Sequence, residues 1–471
     1  MSVDRPGTAA HPLRVVIVGA GPTGFYAADQ LLRQEGLIVE IDMFDRVPTP
    51  FGLVRYGVAP DHQKIKAVTV AFDKIASHPR FRFYGSVELG KHLSVDDLRA
   101  HYHQIFYATG AQSDRRMGIP GEDLKGSHPA TEFVAWYNGH PDYQDLQFDL
   151  SAERVAVVGV GNVAIDVARI LSRTPEELAK TDISDQAFEA LRRSAVKEVY
   201  LLGRRGPAQA AFTNPELKEL GELAGADVVV DPREVELDPL SRAALAKAPD
   251  RATSKKTEML QAYANGVVSG KPRTLVIRFL VSPLEVIGNA AGEVTAMKLV
   301  RNELYQTPTG TLQPRATEQV ETLPVGLVFR SVGYRGVPLP GVPFNDKWAV
   351  ILNEKGRVLD PVSKQPAVGE YTGGWIKRGP SGVIGTNKPD AAETVTCMLE
   401  DLAQHAILHP PAPGAAAADA LVRSRQPQCL SYDDWRQLDR QEIERGRAQG
   451  RPRVKFTRLD EILGALRAGN R

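Results

Sequence analysis

The sequence is poor in cysteine and in net charge, and each shortage excludes a class of protein. Only two cysteines, Cys397 and Cys429, occur among 471 residues, and they form no C-x-x-C pair. The chain therefore lacks the dithiol of a disulfide-exchange enzyme, and a reducing compartment is expected. The 58 lysines and arginines nearly balance the 57 aspartates and glutamates, so no global field attracts nucleic acid or a membrane.

Long apolar runs are also missing. No stretch approaches the roughly 20 residues that a membrane-spanning helix needs. The first dozen residues, MSVDRPGTAAHP, lack both the apolar core of a secretory signal and an Arg-rich amphipathic pattern. We therefore predict a cytoplasmic protein with a short disordered leader. A chain of 471 residues is too long for one core, so two or three domains are expected.

What the sequence does contain is a glycine motif between a predicted strand and a predicted helix. A β-branched run at residues 15–18 stops at Gly19, and G-x-G-x-x-G continues through Gly21 and Gly24 into an apolar-periodic segment. This context is typical of dinucleotide-binding folds, in which the three glycines permit a tight turn, approach to a diphosphate, and close helix packing. The helix N-terminus then favours the diphosphate. The alternative is a glycine-rich turn that binds nothing.

Asp45 ends the next predicted strand, residues 39–44, about 20 positions after the glycines. A carboxylate at this position accepts both hydroxyls of an adenosine ribose and repels a 2′-phosphate. The first motif therefore suits FAD or NAD rather than NADP. The alternative is a surface aspartate at a strand end.

A second glycine motif follows the apolar run at residues 155–158. Gly159, Gly161 and Ala164 form G-x-G-x-x-A, in which alanine takes the helix-packing position. An apolar-periodic helix is predicted after it. The chain therefore contains two dinucleotide-binding units, and no other internal repeat is found.

The second unit has the opposite charge at the position that discriminates between dinucleotides. Its next strand, residues 198–202, is followed by Arg204 and Arg205, where the first unit has Asp45. Two guanidinium groups suit a 2′-phosphate, although a solvated basic strand end is the alternative. Together the two units predict FAD and NADP(H) as cofactors.

Two further features complete the pattern. Residues 275–282 and 294–305 alternate like two antiparallel strands. A proline-rich linker at residues 409–414 separates a polar, highly charged tail that contains Trp435, and the part after Leu421 has no role that the sequence suggests. The predicted fold class is α/β, with two Rossmann-like dinucleotide-binding domains.

Four blocks of sequence resemble a known family far more specifically than the glycine motifs do. They are PFGLVRYGVAPDH at 50–62, GNVAIDVARIL at 161–171, LLGRRGPAQAAFT at 201–213 and GGWIKRGPSGVIGTNK at 373–388. With them, nearly the whole chain resembles the ferredoxin–NADP⁺ reductases of the adrenodoxin reductase type. The resemblance implies a discontinuous FAD domain, residues 1–111 and 336–471, with an NADP domain, residues 112–335, inserted into it.

The resemblance also implies a set of site residues. The FAD contacts of the family would fall on Thr23, Asp45, Leu53, Val87, Trp375, Gly382, Val383 and Ile384. Its NADP contacts would fall on Gly161, Asn162, Val163, Arg204, Arg205 and Glu216, with Gly382 near the nicotinamide. His62 and Glu216 are similar to family residues near the reacting rings, which implies tuning or proton supply. A loop-anchoring role for His62 and a packing role for Trp375 are the alternatives.

The activity that the resemblance implies is hydride transfer from NADPH to FAD, followed by single-electron transfer to a ferredoxin-type iron–sulfur protein, or the reverse. A quinone or a synthase partner as acceptor is an alternative, and a non-catalytic flavin-binding regulatory protein is another. Because ferredoxins are acidic, we predict a basic docking patch that includes Lys218, Arg251, Lys255 and Lys256. A solvated basic helix face is the alternative for this patch.

Overall fold

The computed structural model describes residues 6–469 of the chain. Of the leader predicted at the N-terminus, residues 1–5 lie outside the described residues. The described chain divides into two compact units. The first unit contains residues 6–113, 334–448 and 456–469, and the second contains Asp114–Gly333 and Gln449–Lys455. The family resemblance had instead implied that Gln449–Lys455 belongs to the FAD domain.

The strands alternate with helices along most of the described chain. In chain order, the strands are β1 (Leu13–Val18), β2 (Val39–Phe44), β3 (Phe81–Tyr84), β4 (Gln104–Tyr107), β5 (Ser113–Asp114), β6 (Ser127–Pro129), β7 (Arg154–Val158), β8 (Glu198–Leu202), β9 (Ala226–Val230), β10 (Arg273–Arg278), β11 (Val281–Gly288), β12 (Val294–Gln306), β13 (Leu312–Pro324), β14 (Leu327–Arg330), β15 (Tyr334–Arg335), β16 (Phe344–Asn345), β17 (Val350–Ile351), β18 (Asn353–Glu354), β19 (Arg357–Leu359) and β20 (Pro366–Thr372).

The helices range from single turns to five turns. In chain order, they are α1 (Pro22–Leu32), α2 (Leu53–Tyr56), α3 (Gln63–Lys66), α4 (Thr69–Ala76), α5 (Val95–His101), α6 (Ala130–Tyr137), α7 (Asn162–Ser172), α8 (Pro175–Leu178), α9 (Asp185–Arg192), α10 (Asn214–Leu220), α11 (Pro232–Val235), α12 (Pro239–Lys247), α13 (Arg251–Ala264), α14 (Trp375–Arg378), α15 (Asn387–Ala403), α16 (Ala415–Arg425), α17 (Tyr432–Arg447) and α18 (Leu459–Gly469). None of the helices between residues 6 and 469 combines the length and the apolar character that crossing a membrane requires.

The first unit is built on a seven-stranded sheet in the order β18-β19-β20-β4-β1-β2-β3. Strands β20, β4, β1, β2 and β3 are parallel to one another, whereas β19 pairs antiparallel with β20 and β18 antiparallel with β19. All six residues of β1 are buried, as expected for a central parallel strand that is covered on both faces. Helices α1, α4 and α15 pack together over one face of this sheet.

The second unit is built on a six-stranded parallel sheet in the order β6-β14-β7-β8-β10-β9. Helices α6, α7, α10 and α13 contribute to its largest apolar core. A separate antiparallel sheet, β11-β12-β13, packs on a smaller core of the same unit. Each unit therefore has the parallel sheet of a dinucleotide-binding fold, and the predicted α/β fold class is confirmed.

The prediction of two antiparallel strands at 275–282 and 294–305 was wrong for the first half of the first segment. That half belongs to β10, which is parallel to β8 and β9. The chain then turns at Leu280, whose φ is +56°, and β11 begins an antiparallel pairing with β12. Leu275 and Ile277 are fully buried, because a parallel sheet is covered on both faces. The alternation of apolar and polar residues therefore did not distinguish the parallel strand β10 from the antiparallel strand β11.

The polar tail after the proline-rich linker folds into α16, α17 and α18. Trp435 of α17 is 3% exposed and lies in the apolar core of the first unit together with Leu438. The neighbouring segment Gln449–Lys455 packs in the second unit, where Lys455 Nζ donates a hydrogen bond to the carbonyl oxygen of Asn138 at 3.1 Å. The tail is therefore an integral part of the fold.

Candidate functional site

The first glycine loop follows β1 and contains two glycines that leave no room for a side chain. Gly19 has a φ of +111°, and a Cβ there would overlap the carbonyl oxygen of Ala108. A Cβ on Gly24 would overlap the carbonyl oxygen of Gly19 and press against Ile17. The loop therefore turns sharply beside the end of β4 and brings α1 close to β1.

Gly21, unlike Gly19 and Gly24, has open space where a side chain would lie. A Cβ on this residue would meet no atom within 4 Å. Gly21 is also the N-cap of α1, and no side chain caps the helix there. The space in front of the helix N-terminus is open to a ligand, and the backbone N–H groups and the helix dipole favour an anionic one. The residues present therefore fit the diphosphate of a dinucleotide.

Asp45 lies at the end of β2 and is tied to the glycine loop. Its carboxylate accepts hydrogen bonds from the backbone N–H of Ala20 at 2.8 Å and of Val47 at 3.1 Å. Burial raises the pKa of Asp45, and these backbone hydrogen bonds oppose that shift. A carboxylate has about four acceptor positions, so capacity for ribose hydroxyls remains. The Val87 N–H donates to the carbonyl oxygen of Asp45 at 2.8 Å, and Val87 is buried, so this hydrogen bond ties Val87 to the end of β2.

The loop after β2 returns to the glycine loop and places Leu53 beside it. The Phe51 N–H donates to the carbonyl oxygen of Ala20 at 2.8 Å, and a Cβ on Gly52 would lie 3.1 Å from the Gly21 Cα. Leu53 then begins α2 and is partly exposed. Phe51, although it is not a glycine, has a φ of +84°, so the backbone at this close approach is strained.

The glycine-dense segment near residue 375 closes on α1 from the C-terminal part of the first unit. A Cβ on Gly373 would lie 3.0 Å from Thr23 Cγ2, and a Cβ on Gly374 would overlap the Thr23 hydroxyl. The Gly374 N–H donates to the carboxylate of Asp390 in α15. Because Gly374 is the N-cap of α14, Trp375 begins that helix next to Thr23. Thr23 and Trp375, which are 352 positions apart in the chain, are thus brought together.

The other residues predicted to contact FAD lie at the start of α14 and in the segment after this helix. Trp375 is half-buried and its indole N–H donates to the carbonyl oxygen of Ser381 at 3.1 Å. Gly382 has a φ of +80° and forms the turn after Ser381. Val383 is exposed, whereas Ile384 packs against the apolar core of the first unit. Val383 therefore presents an apolar side chain to solvent at the end of this segment.

His62 is buried in the first unit at the start of α3. It is 8% exposed and forms the N-cap of that helix. Its backbone N–H donates to the carbonyl oxygen of Ala59 at 3.0 Å. The position is compatible with the loop-anchoring interpretation as well as with a role near a reacting ring.

The glycine loop of the second unit repeats the geometry of the first. Gly159 has a φ of +133°, and a Cβ there would overlap the carbonyl oxygen of Ser331. Gly161 is the uncapped N-cap of α7, and a Cβ on it would meet no atom within 4 Å. Ala164 is fully buried at the helix-packing position. This loop also fits a diphosphate.

The first turn of α7 is held by the segment before α10. The Asn162 side-chain oxygen accepts a hydrogen bond from the Thr213 N–H at 2.9 Å. Val163 is partly buried against the core of the second unit. The side chain of Asn162 is thereby oriented by the backbone of a different element.

Glu216 takes part in a buried charge cluster that the sequence did not predict. Arg169 of α7 is fully buried and lies 3.2 Å from Glu216 and 3.4 Å from Glu219 of α10. It also pairs with Asp166 on its own helix at 2.8 Å. Glu216 is therefore fixed in position by Arg169, and Arg169 is the supporting residue that was missed.

Arg204 and Arg205 follow β8 beside the second glycine loop. A Cβ on Gly203 would lie 2.8 Å from Val160 in that loop. The carbonyl oxygen of Arg204 accepts a hydrogen bond from the side chain of Asn302 at 2.8 Å, which holds the backbone of the pair. Within residues 6–469 neither guanidinium group makes a side-chain hydrogen bond or an ion pair. Burial, and then the charge of Arg204, lower the pKa of Arg205. Two adjacent cations without a protein anion fit a phosphate group.

The four residues of the predicted basic patch are all in the second unit but differ in availability. Lys218 and Lys255 each pair with a glutamate on the same helix, at 3.1 and 3.5 Å. The Lys256 ammonium donates to the carbonyl oxygen of Ala210 at 2.5 Å, and burial lowers its pKa. Arg251 is exposed at the start of α13 and makes no ion pair among residues 6–469. Of the four, Arg251 presents the most available charge.

The two units together define a class of protein. One unit has an acidic residue at the discriminating strand end and the other has two arginines, so the fold and site are those of an oxidoreductase that binds two dinucleotides. A family model described as pyridine nucleotide-disulphide oxidoreductase matches residues 13–205. Cys397 and Cys429 are nevertheless free thiols.

Three comparisons identify the family. A probable ferredoxin/ferredoxin–NADP reductase of Mycobacterium tuberculosis is 48% identical over 462 residues, which cover 97% of this chain and 76% of that protein. The mitochondrial NADPH:adrenodoxin oxidoreductase of Homo sapiens is 40% identical, over 96% of this chain and 92% of that protein. The structure of Mycobacterium tuberculosis FprA in complex with NADPH matches with a TM-score of 0.91 at 44% identity, and covers 97% of this chain and 100% of that one. The chain belongs to the family of ferredoxin–NADP reductases of the adrenodoxin reductase type.

Proposed function

We propose that the protein is an NADPH-dependent flavin oxidoreductase that passes electrons from NADPH through FAD to a ferredoxin-type iron–sulfur protein, or in the reverse direction. The observation that carries the proposal is the contrast between Asp45 in the first unit and Arg204 and Arg205 in the second, whose guanidinium groups have no ion-pair partner within the described residues. FAD supplies the exchange between two-electron and one-electron chemistry when it is bound. The chain supplies binding, orientation and electrostatics, and no protein nucleophile is needed.

The first unit is the FAD domain in this proposal and the second is the NADP domain. The FAD residues are Gly19, Gly21, Thr23, Gly24, Asp45, Leu53, Val87, Trp375, Gly382, Val383 and Ile384. The NADP residues are Gly161, Asn162, Val163, Arg204, Arg205 and Glu216. His62 and Glu216 hold or tune a proton near the reacting rings. A cytoplasmic location is proposed on the two free cysteines, which suit a reducing compartment.

The partner is a ferredoxin-type protein, and we propose that its acidic surface docks on the basic patch. Arg251 is expected to contribute most of the attraction, because Lys218, Lys255 and Lys256 already interact with neighbouring groups. Attraction between exposed charges weakens as salt screens it, with a Debye length of about 8 Å at 0.15 M. Complementary charge acts mainly on the rate of association.

The test is the rate of NADPH-driven reduction of a purified ferredoxin, compared with a quinone, over a range of ionic strength. We expect faster turnover with the ferredoxin, and an apparent KM that rises with salt. Arg251→Ala should raise that KM about threefold to tenfold, the size of a lost surface contact of roughly 1 kcal/mol. Arg193→Ala, directly after α9, removes an exposed charge outside the patch and serves as the control. Faster turnover with the quinone would favour the alternative acceptor, and a KM independent of salt would contradict the basic patch.

A further inference from the structure

Helix α17 of the C-terminal tail is joined to α2 by a buried ion pair. Arg55 of α2 and Glu442 of α17 have side chains that are 4% and 1% exposed. The two guanidinium nitrogens Nη1 and Nη2 donate to the two carboxylate oxygens at 2.9 and 2.5 Å. A bidentate pair of this kind fixes the orientation of both groups. The partners are 387 positions apart in the chain, so the pair anchors the tail at one definite place in the first unit.

Trp435, two turns before Glu442 on the same face of α17, packs on the same segment. The Arg55 guanidinium lies over the Trp435 ring at 4.9 Å from its centroid. The ring of Phe51 meets the edge of Trp435 with a centroid distance of 5.6 Å. Glu442 Oε1, which accepts from Arg55 Nη2, also accepts a hydrogen bond from the Phe456 N–H at 2.9 Å, so a second element holds the carboxylate. The tail therefore contacts Phe51, which directly precedes Gly52, and Arg55, which lies three residues after it.

The segment that the tail holds is strained. Phe51 has a φ of +84° and Gly52 a φ of +48°, and the first of these values is unfavourable for any residue with a Cβ. A backbone of this kind persists only where the surrounding structure over-determines it, and it is concentrated at sites of function. Here the strained backbone carries the N–H that bonds Ala20 and brings Gly52 against Gly21. The strain thus lies directly beside the glycine loop of the first unit.

Burial works against the charge of Arg55, but the nearby Glu442 carboxylate outweighs it and raises the pKa of Arg55 above its ordinary value. Removal of the Glu442 carboxylate would take a bidentate anionic partner away from a buried guanidinium, a change that a folded protein relieves by moving the group. Because Arg55 belongs to the same short helix as Leu53, such a movement would displace α2 and the strained turn before it.

We propose that the C-terminal tail is part of the flavin-binding apparatus, and that Glu442 is a positioning residue that acts through Arg55 on the turn at Phe51 and Gly52. The inference rests on the proposed function, in which the first unit binds FAD. Glu442 itself does not touch the ligand space. Its role is to keep the turn against Gly21 in the conformation that accepts the diphosphate, with Trp435 as the apolar part of the same support.

The test is the rate of FAD release from the holoenzyme, followed by the rise in flavin fluorescence, for wild type and Glu442→Gln. The unfolding temperature is measured in parallel by circular dichroism. Asp401→Asn is the matched control, because Asp401 also holds one arginine through two hydrogen bonds and accepts a third from Tyr371. We expect Glu442→Gln to release FAD at least tenfold faster, and Asp401→Asn to remain within twofold of wild type even where both lower the unfolding temperature.

A second variant covers the case in which Glu442→Gln does not fold. Trp435→Leu keeps an apolar side chain but removes the ring that contacts Arg55 and Phe51, and the same faster release is expected. Unchanged release from the variant that folds, or equal acceleration by Asp401→Asn, would overturn the inference and leave the proposed function standing. A wild-type protein that binds no FAD would instead overturn the proposed function.

Discussion

Replacement of both Arg204 and Arg205 with alanine is expected to erase most of the preference for NADPH over NADH. A hydrogen bond to a charged group contributes about 1.5–3 kcal/mol. Two such contacts amount to about 3–6 kcal/mol, a factor of roughly 10² to 10⁴ in the ratio of kcat/KM for the two cofactors. Within the described part of the chain neither guanidinium pairs with another side chain, so the replacement removes no internal contact of that kind.

The measurement is kcat/KM with NADPH and with NADH for the double variant and for wild type. Arg192→Ala/Arg193→Ala is the matched control, because it removes two adjacent arginines of the second unit whose ion pairs, within residues 6–469, are both with Glu189 of α9. We expect the loss to fall on NADPH, with NADH changed little, and the control to keep the full preference. If the Arg204→Ala/Arg205→Ala double variant still prefers NADPH as strongly as wild type, the 2′-phosphate is bound elsewhere.

The second large effect is expected at the two glycines that face open space. Gly21 has a φ of −85° and Gly161 a φ of −104°, values that any residue adopts. A Cβ on either would meet no protein atom within 4 Å, so an alanine costs the fold little. It would, however, occupy the space through which the backbone approaches a diphosphate.

Each variant is the control for the other. Gly21→Ala is expected to weaken FAD binding by at least about tenfold, or about 1.4 kcal/mol, so that the purified protein loses flavin. Gly161→Ala is expected to keep its flavin and to raise the KM for NADPH by a similar factor. The flavin content comes from the visible spectrum, and the KM from steady-state kinetics. The opposite pattern, or flavin loss from both variants, would contradict the assignment of the two cofactors to the two units.

The elements that could be predicted from the sequence are those with a local signal. The buried β1, the turn at Gly19 and the first turn of α1 follow one another within a dozen residues, and their geometry depends on backbone sterics alone. The same holds for Gly159 and Gly161 in the second unit. Asp45 was found because a strand end lies about 20 positions after such a loop, and the two arginines were found at the end of the corresponding strand of the second unit, at about twice that distance.

The elements that were missed have no local signal. Strand β13 is mostly exposed and rich in polar residues, so no alternation of apolar and polar side chains marks it. The tail helix α17 is highly charged, and its buried Trp435 and Glu442 find their partners in α2 and the turn before it, far away in the chain. Arg169 and Asp166 are an exception with a local signal, because two charged residues three positions apart in an otherwise apolar helix require partners.

The most direct test of the account is an anaerobic titration of the purified protein with NADPH and, separately, with NADH, followed in the visible spectrum. We predict a yellow protein whose flavin bands are bleached at far lower concentrations of NADPH than of NADH. That result would place FAD and NADP(H) in one enzyme, as the acidic and basic strand ends of the two units require. A colourless protein, or a flavin that NADPH leaves oxidised, would contradict the account and favour a binding or regulatory role.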